Sequence, residues 1–256
     1  MVTRTVCDGT TDETGAITRA LGLMVDHSAA GATAVLAVPA QADLKDTTLT
    51  AVLGDDAAQA LRSSGQVIWG DRKLILLTER KRPVVAASWS GVALVVYPTE
   101  KILDEVERLL GLQVVIVMAD RLESAKRWVA AHSPATILAD GGARQPAPAA
   151  ALSLLVEEAL RCLHRNANSG GQLNHPTDKA RAQETLLLLR AAGEPVDGAA
   201  IRAFVVGQLG WRAKDGDALE QMVDRTKGKR LKRVLGGPYW ADDIVEQWRT
   251  AISGRK

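Results

Sequence analysis

The sequence predicts an α/β N-terminal half, built on a mostly parallel sheet with flanking helices, followed by an all-α C-terminal lobe. Three observations predict it. Two continuous apolar runs, Val92–Val96 and Val114–Met118, enclose a helical stripe. A Gly/Pro/Ala stretch at 139–150 has no apolar period, and the aliphatic residues beyond it recur at helical spacing. The expected boundaries are therefore an α/β domain at 1–138, a linker at 139–150 and a helical domain with a basic cluster at 151–256.

Taken in order, Thr11 or Asp12 can cap a helix over about 12–29, with Ile17, Leu21, Met24 and Val25 on one face and Gly31 ending it. Thr33–Val38 reads as a short strand closed by Pro39, which cannot donate to a ladder. Residues 46–63 suit helix but are interrupted by Gly54 and Asp55-Asp56, so two short helices are expected. Gln66–Trp69 and Lys73–Thr78 flank Gly70-Asp71-Arg72, the pattern of a β-hairpin.

The βαβ unit over 92–118 follows. Its helix, Thr99–Leu110, carries the stripe Ile102, Leu103, Val106, Leu109 and Leu110. Neither strand alternates in polarity, as expected when helices cover both faces, and the crossover should be right-handed. Asp120, with Glu123 three residues on, has capping-box spacing for a helix over 121–131, and Ala135–Leu138 supplies a last short strand. A sheet of about four to six strands is expected.

The second half reads as four or five helices. Leu152, Leu155, Val156, Ala159, Leu160 and Leu163 form one stripe, and the polar connection Arg165–Thr177 leads to a helix capped by Thr177 or Asp178 and running to Ala192. Asp197 caps the next, to about Leu209 before Gly210. Asp215 or Asp217 opens a further helix, and Ala241–Ile252 closes the fold.

Composition narrows the class. With 46% hydrophobic and 24% charged residues the chain is not of the disordered type. Cys7 and Cys162 make no disulfide framework, the N-terminus lacks a secretory apolar core, and no apolar run approaches a bilayer span. A cytoplasmic protein with no membrane partner is the expectation. The net charge of +2 hides an asymmetry: residues 1–139 hold 14 Lys/Arg against 16 Asp/Glu, and 140–256 hold 18 against 14. An anionic partner should therefore meet the second half.

The densest signal is Arg225, Lys227, Lys229, Arg230, Lys232 and Arg233, six cations within nine residues and no acid, with Tyr239 and Trp240 soon after. Such density suits water or phosphate, though cations also complement a helix C-terminus. A helix-turn-helix over 197–226 is disfavoured, because Asp215, Asp217, Glu220 and Asp224 would face a phosphate backbone.

The other candidate is the rim at the strand carboxyl ends: Pro39–Asp43, Tyr97–Thr99 and Ala119–Arg121, with Thr99 and Asp120 as possible ligand contacts that also suit N-caps. Neither a G-x-G-x-x-G nor a G-x-x-x-x-G-K-[ST] loop occurs. His27, His132, His164 and His175 have no metal-ligand spacing, so no metal and no cofactor is expected. Ser88-Trp89-Ser90-Gly91 precedes a strand, whereas a nucleophile elbow follows one. Asp8-Gly9-Thr10 resembles a phosphatase-like aspartate loop but lacks a second acid two positions before it. The polar loop Asn166–Thr177 suits a solvated connection as well as a binding loop.

The leading expectation is a non-catalytic binding or regulatory protein whose helical lobe contacts an anionic partner, nucleic acid among them, through 225–233. The alternative is an enzyme or nucleotide-responsive module with its ligand at the strand ends. A third is a protein–protein interaction scaffold, resting on Trp211, Tyr239, Trp240 and Trp248.

Overall fold

The computed structural model describes residues 2–138, 142–144, 151–167, 173–228 and 239–254. The chain divides into two compact units, 1–129 with 133–147, and 130–132 with 148–256.

The first unit runs β1 (Thr3–Asp8), α1 (Glu13–Asp26), β2 (Thr33–Ala37), a 3-10 turn at Gln41–Leu44, α2 (Thr48–Leu53) and α3 (Asp55–Ser64). It continues with β3 (Gln66–Trp69), β4 (Arg72–Leu77), β5 (Gly91–Val96), α4 (Glu100–Glu107), β6 (Leu112–Ala119), α5 (Leu122–His132), β7 (Ala135–Ile137) and β8 (Ala143–Arg144). The strands form one eight-stranded sheet in the order β3-β4-β2-β5-β6-β1-β7-β8. The six inner strands are parallel; β3 and β8 are antiparallel edges. The expected α/β class holds, with a mostly parallel sheet. It has eight strands rather than four to six, because β1 and the short antiparallel edge β8 join the six that the sequence predicts.

β6 shows why the inner strands read as unbroken apolar runs. Val114, Ile116 and Met118 enter one buried layer with Ile17, Leu21 and Met24 of α1 and Leu49, Leu53 and Leu61 of α2 and α3. Val115, Val117 and Ala119 enter the other, with Ile102, Leu103 and Val106 of α4 and Ala125 and Trp128 of α5. Both faces are dry, so alternation vanishes from the sequence.

The local expectations mostly hold. Asp12 caps α1 through Gly15 N at 2.8 Å. Gly54, at φ +89, separates α2 from α3, and the β3–β4 hairpin turns at Gly70-Asp71. Asp120 does not cap α5: the N-cap is Arg121, whose side chain makes no capping bond, so the Asp120/Glu123 capping box is not formed.

The second unit holds α6 (Leu154–Asn166), α7 (Pro176–Ala191), α8 (Gly198–Gly207), α9 (Ala213–Thr226) and α10 (Ile244–Ser253). Leu160, Leu163, Leu186, Leu189, Ile201, Leu219, Trp211 and Trp248 share its core. Asp197 caps α8 as expected. Two caps differ. His175 rather than Thr177 or Asp178 precedes α7, with Pro176 at its first position, where the missing N–H costs nothing. Arg212 precedes α9, while Asp215 is buried and accepts a hydrogen bond from Leu173 N at 3.1 Å. The expected linker at 139–150 lies outside the described residues apart from 142–144.

Candidate functional site

In this sheet, α1, α2 and α3 follow β1 and β2 on one face, whereas α4 and α5 follow β5 and β6 on the other. The chain therefore changes faces between the neighbours β2 and β5, and again between β6 and β1. Each change opens a cleft beyond the strand carboxyl ends, where open α/β sheets take ligands. Thr99 belongs to the first cleft and Asp120 to the second.

The first cleft is built from self-locked turns. After β4, the Thr78 hydroxyl accepts from Lys81 N at 3.1 Å, and Thr78 N donates to Lys81 O at 2.9 Å. This turn presents Glu79, Arg80 and Lys81. After β2, Glu79 N donates to Pro39 O at 3.2 Å, and Asp43 accepts from Ala40 N at 2.8 Å, fixing the 3-10 turn whose Leu44 is buried. Between the two turns lies a cavity of about 550 Å³ lined by Pro39, Ala40, Gln41, Ala42 and Thr78–Lys81.

β5 closes the same rim. The Thr99 hydroxyl caps α4 through Ile102 N at 3.2 Å and donates to Glu79 Oε1 at 2.6 Å. Lys101 Nζ lies 3.3 Å from Glu79 Oε2. Because β2 lies between β4 and β5, these contacts span its carboxyl end. The Thr99 hydroxyl, and then Lys101, hold the Glu79 carboxyl below the usual carboxylate range against the opposing push of burial. Thr99 thus caps α4 and at the same time bonds the rim residue Glu79.

Tyr97 is a further rim residue. Its φ of +56 lies in the left-handed region, a conformation that a bulky residue adopts at a cost and that is frequent at ligand sites. Its hydroxyl donates to Glu13 Oε1 at 2.7 Å and accepts from Leu49 N at 3.4 Å, tying β5 to α1 and α2. Burial, and then the Glu13 carboxylate, push the phenol up to about 12.

The second cleft is acidic. Asp8 ends β1 and accepts from Thr10 N at 2.9 Å and from the Thr10 hydroxyl at 2.6 Å. Gly9 continues the ladder to Ala119 O, and a Cβ there would stand 2.9 Å from Met118 Sδ. Asp12 and Glu13 open α1 beside this turn, and Asp120 follows the neighbouring β6. Arg19 pairs with Asp12 at 3.6 Å, and among the described residues no cluster of three or more His, Cys, Asp or Glu side chains could hold a metal ion. The first cleft is the stronger candidate.

In the helical unit, Arg225 and Lys227 close α9 and are exposed, and Lys227 Nζ pairs with Asp224 at 2.7 Å. Lys229, Arg230, Lys232 and Arg233 lie outside the described residues. Beyond them, Tyr239 N donates to Glu184 at 2.8 Å, Trp240 Nε1 donates to the Thr185 hydroxyl at 2.9 Å, and Arg181 stacks on the Trp240 ring. Trp211, Trp240 and Trp248 pack in the core, which accounts for the aromatics that suggested an interface.

A family model described as "Domain of unknown function (DUF1889)" matches residues 152–249. The helical unit, with the basic cluster inside it, is therefore similar to that family. No curated protein and no solved structure matches the chain. No helix among the described residues is long and apolar enough to cross a membrane.

Proposed function

We propose that this chain is a ligand-responsive binding protein whose α/β unit takes a small polar ligand with an anionic group at the carboxyl ends of β2, β4 and β5. One observation carries the reading: a cavity of about 550 Å³ lies between the turns that follow the neighbouring strands β2 and β4, next to the face change at β2 and β5, and is walled by Glu79 and by exposed Arg80 and Lys81. That volume falls in the usual range for small-molecule sites, and the position is where doubly wound sheets bind. Without a glycine-rich phosphate loop, affinity must come from side chains.

A ligand that binds only the folded state raises the unfolding temperature, and the rise continues with the logarithm of free ligand above its Kd. Thermal unfolding of the intact chain with phosphorylated and carboxylated metabolites should show stabilisation that Ala42→Phe, which fills the cavity, removes. No stabilisation across the panel, or equal stabilisation of Ala42→Phe, rejects the reading.

A second reading concerns the helical unit: an anionic macromolecule, nucleic acid included, held by Arg225, Lys227, Lys229, Arg230, Lys232 and Arg233. The charge density of this segment favours it, as does the exposure of the two described cations. Binding to generic DNA or RNA should fall steeply as salt rises, and more shallowly once Lys229, Arg230, Lys232 and Arg233 are neutralised. Salt-insensitive binding, or an unchanged slope, rejects it.

A further inference from the structure

The wall of the cavity contains a carboxylate as well as cations, and the carboxylate narrows the ligand class. Glu79 Oε1 takes the Thr99 hydroxyl and Oε2 faces Lys101, so each oxygen has one partner already. A carboxylate offers about four acceptor positions, two on each oxygen. Two partners leave one further acceptor position on each oxygen, and Glu79, with 24% of its side chain exposed, is among the residues that line the cavity. Two acceptors fixed side by side match two neighbouring hydroxyl donors.

The next residue is Arg80, whose planar fork suits a phosphate. Opposite stand Pro39, Ala40 and Ala42, small apolar side chains that leave room for a flat or compact hydrophobic group. A lone phosphate would use only a fraction of about 550 Å³.

Resting on the reading of this cavity as an anion-bearing ligand site, we propose that it recognises a ribose phosphate, as in a nucleoside monophosphate. Glu79 accepts the vicinal ribose hydroxyls and Arg80 meets the phosphate. Thr99 and Lys101 are positioning residues: they fix the orientation of the carboxylate and do not touch the ligand.

Titration calorimetry of the full chain with AMP, 2′-deoxy-AMP, ribose 5-phosphate, inorganic phosphate and glycine tests this. AMP should bind about tenfold or more tightly than 2′-deoxy-AMP, because the missing hydroxyl leaves one carboxylate oxygen unpaired. Glu79→Gln should erase that preference while binding inorganic phosphate at least as well as the parent, since a repelling charge has gone. Arg80→Ala, at an exposed position, should weaken all the phosphates together and keep the preference for AMP. Equal binding of AMP and 2′-deoxy-AMP, or a preference that survives Glu79→Gln, overturns the ribose assignment while leaving an anion site in place. Glycine binding without AMP binding overturns it in favour of a zwitterion. No binding by any of the five overturns the ribose phosphate assignment, and the wider metabolite panel then decides whether the cavity reading falls too.

Discussion

The Thr99 hydroxyl donates to the Glu79 carboxylate at 2.6 Å across the carboxyl end of β2, joining the loops that follow β4 and β5. The same oxygen caps α4 through Ile102 N. Thr99→Val keeps the side-chain shape and removes both contacts. The lost cap alone costs roughly 1 kcal/mol, so the midpoint of chemical denaturation should fall by a corresponding amount with unchanged slope. Thr99→Ser should restore most of it.

The same pair makes a pH prediction. The folded pKa of Glu79 is depressed, so its contribution is present above the unfolded value of about 4.3 and is lost as pH falls through the folded one. Acid unfolding of the parent should therefore be steeper than that of Thr99→Val, in which the largest cause of the depression is gone. Parallel acid-unfolding curves would show that the bond does not favour the ionised form.

Tyr97 has the opposite sign. Its phenol rises from an ordinary 10.0 to about 12. A raised pKa means stability that is complete below the unfolded value and drains away as pH climbs from about 10 toward 12. Tyr97→Phe should lose roughly 1 kcal/mol at neutral pH and flatten the alkaline limb of the stability curve. A spectrophotometric titration should find one of the two tyrosines ionising near 12 in the folded chain. That step should vanish in the variant.

The parts of this unit legible in the sequence were those whose burial is continuous. β5, β6 and the α4 between them declared themselves because Val92–Val96 and Val114–Met118 are dry on both sides. β1 did not, although it pairs with β6 and β7 inside the sheet. Thr3, Arg4 and Thr5 look like a polar leader in isolation. In the fold, Arg4 forms a two-toothed pair with Glu107 at 2.8 and 2.9 Å, a partner 103 residues away. Missing β1 also hid the fact that Asp8-Gly9-Thr10 ends a strand. At the site, Thr99 and the Pro39–Asp43 rim could be named from strand position, but Glu79 and Arg80 could not. They belong to a turn that only the β4–β2–β5 order brings beside them.

Gly111 should be the least substitutable glycine tested in the α/β unit. Its φ is +82, and a Cβ built there would stand 1.6 Å from the Trp89 carbonyl oxygen. Trp89 cannot yield easily, because its ring is buried and its Nε1 donates to Thr33 O at 2.9 Å. Gly111→Ala therefore combines backbone strain with a backbone clash and should cost about 3 kcal/mol, read as a lower denaturation midpoint. Gly31→Ala, at φ +74 with open space around the new methyl, carries only the strain and should cost about 1 kcal/mol.

In the helical unit the test falls on Arg202 of α8, whose side chain is 6% exposed and whose Nε lies 2.6 Å from Asp217 Oδ1 of α9. Glu220 Oε2 stands further off at 3.9 Å. Arg202→Ala removes a buried cation and the aliphatic stem that carries it, and should cost roughly 2 kcal/mol. Arg202→Met keeps the aliphatic stem that packs over Gly216, where a Cβ would come within 3.2 Å of Arg202 Cγ. If packing dominates, methionine recovers most of the loss. If the charge dominates, methionine resembles alanine. Hydrogen exchange on peptides from α8 and α9 reads this unit by itself, with faster exchange in proportion to the lost stability. Unchanged exchange in Arg202→Ala would show that the pair is energetically neutral despite its burial.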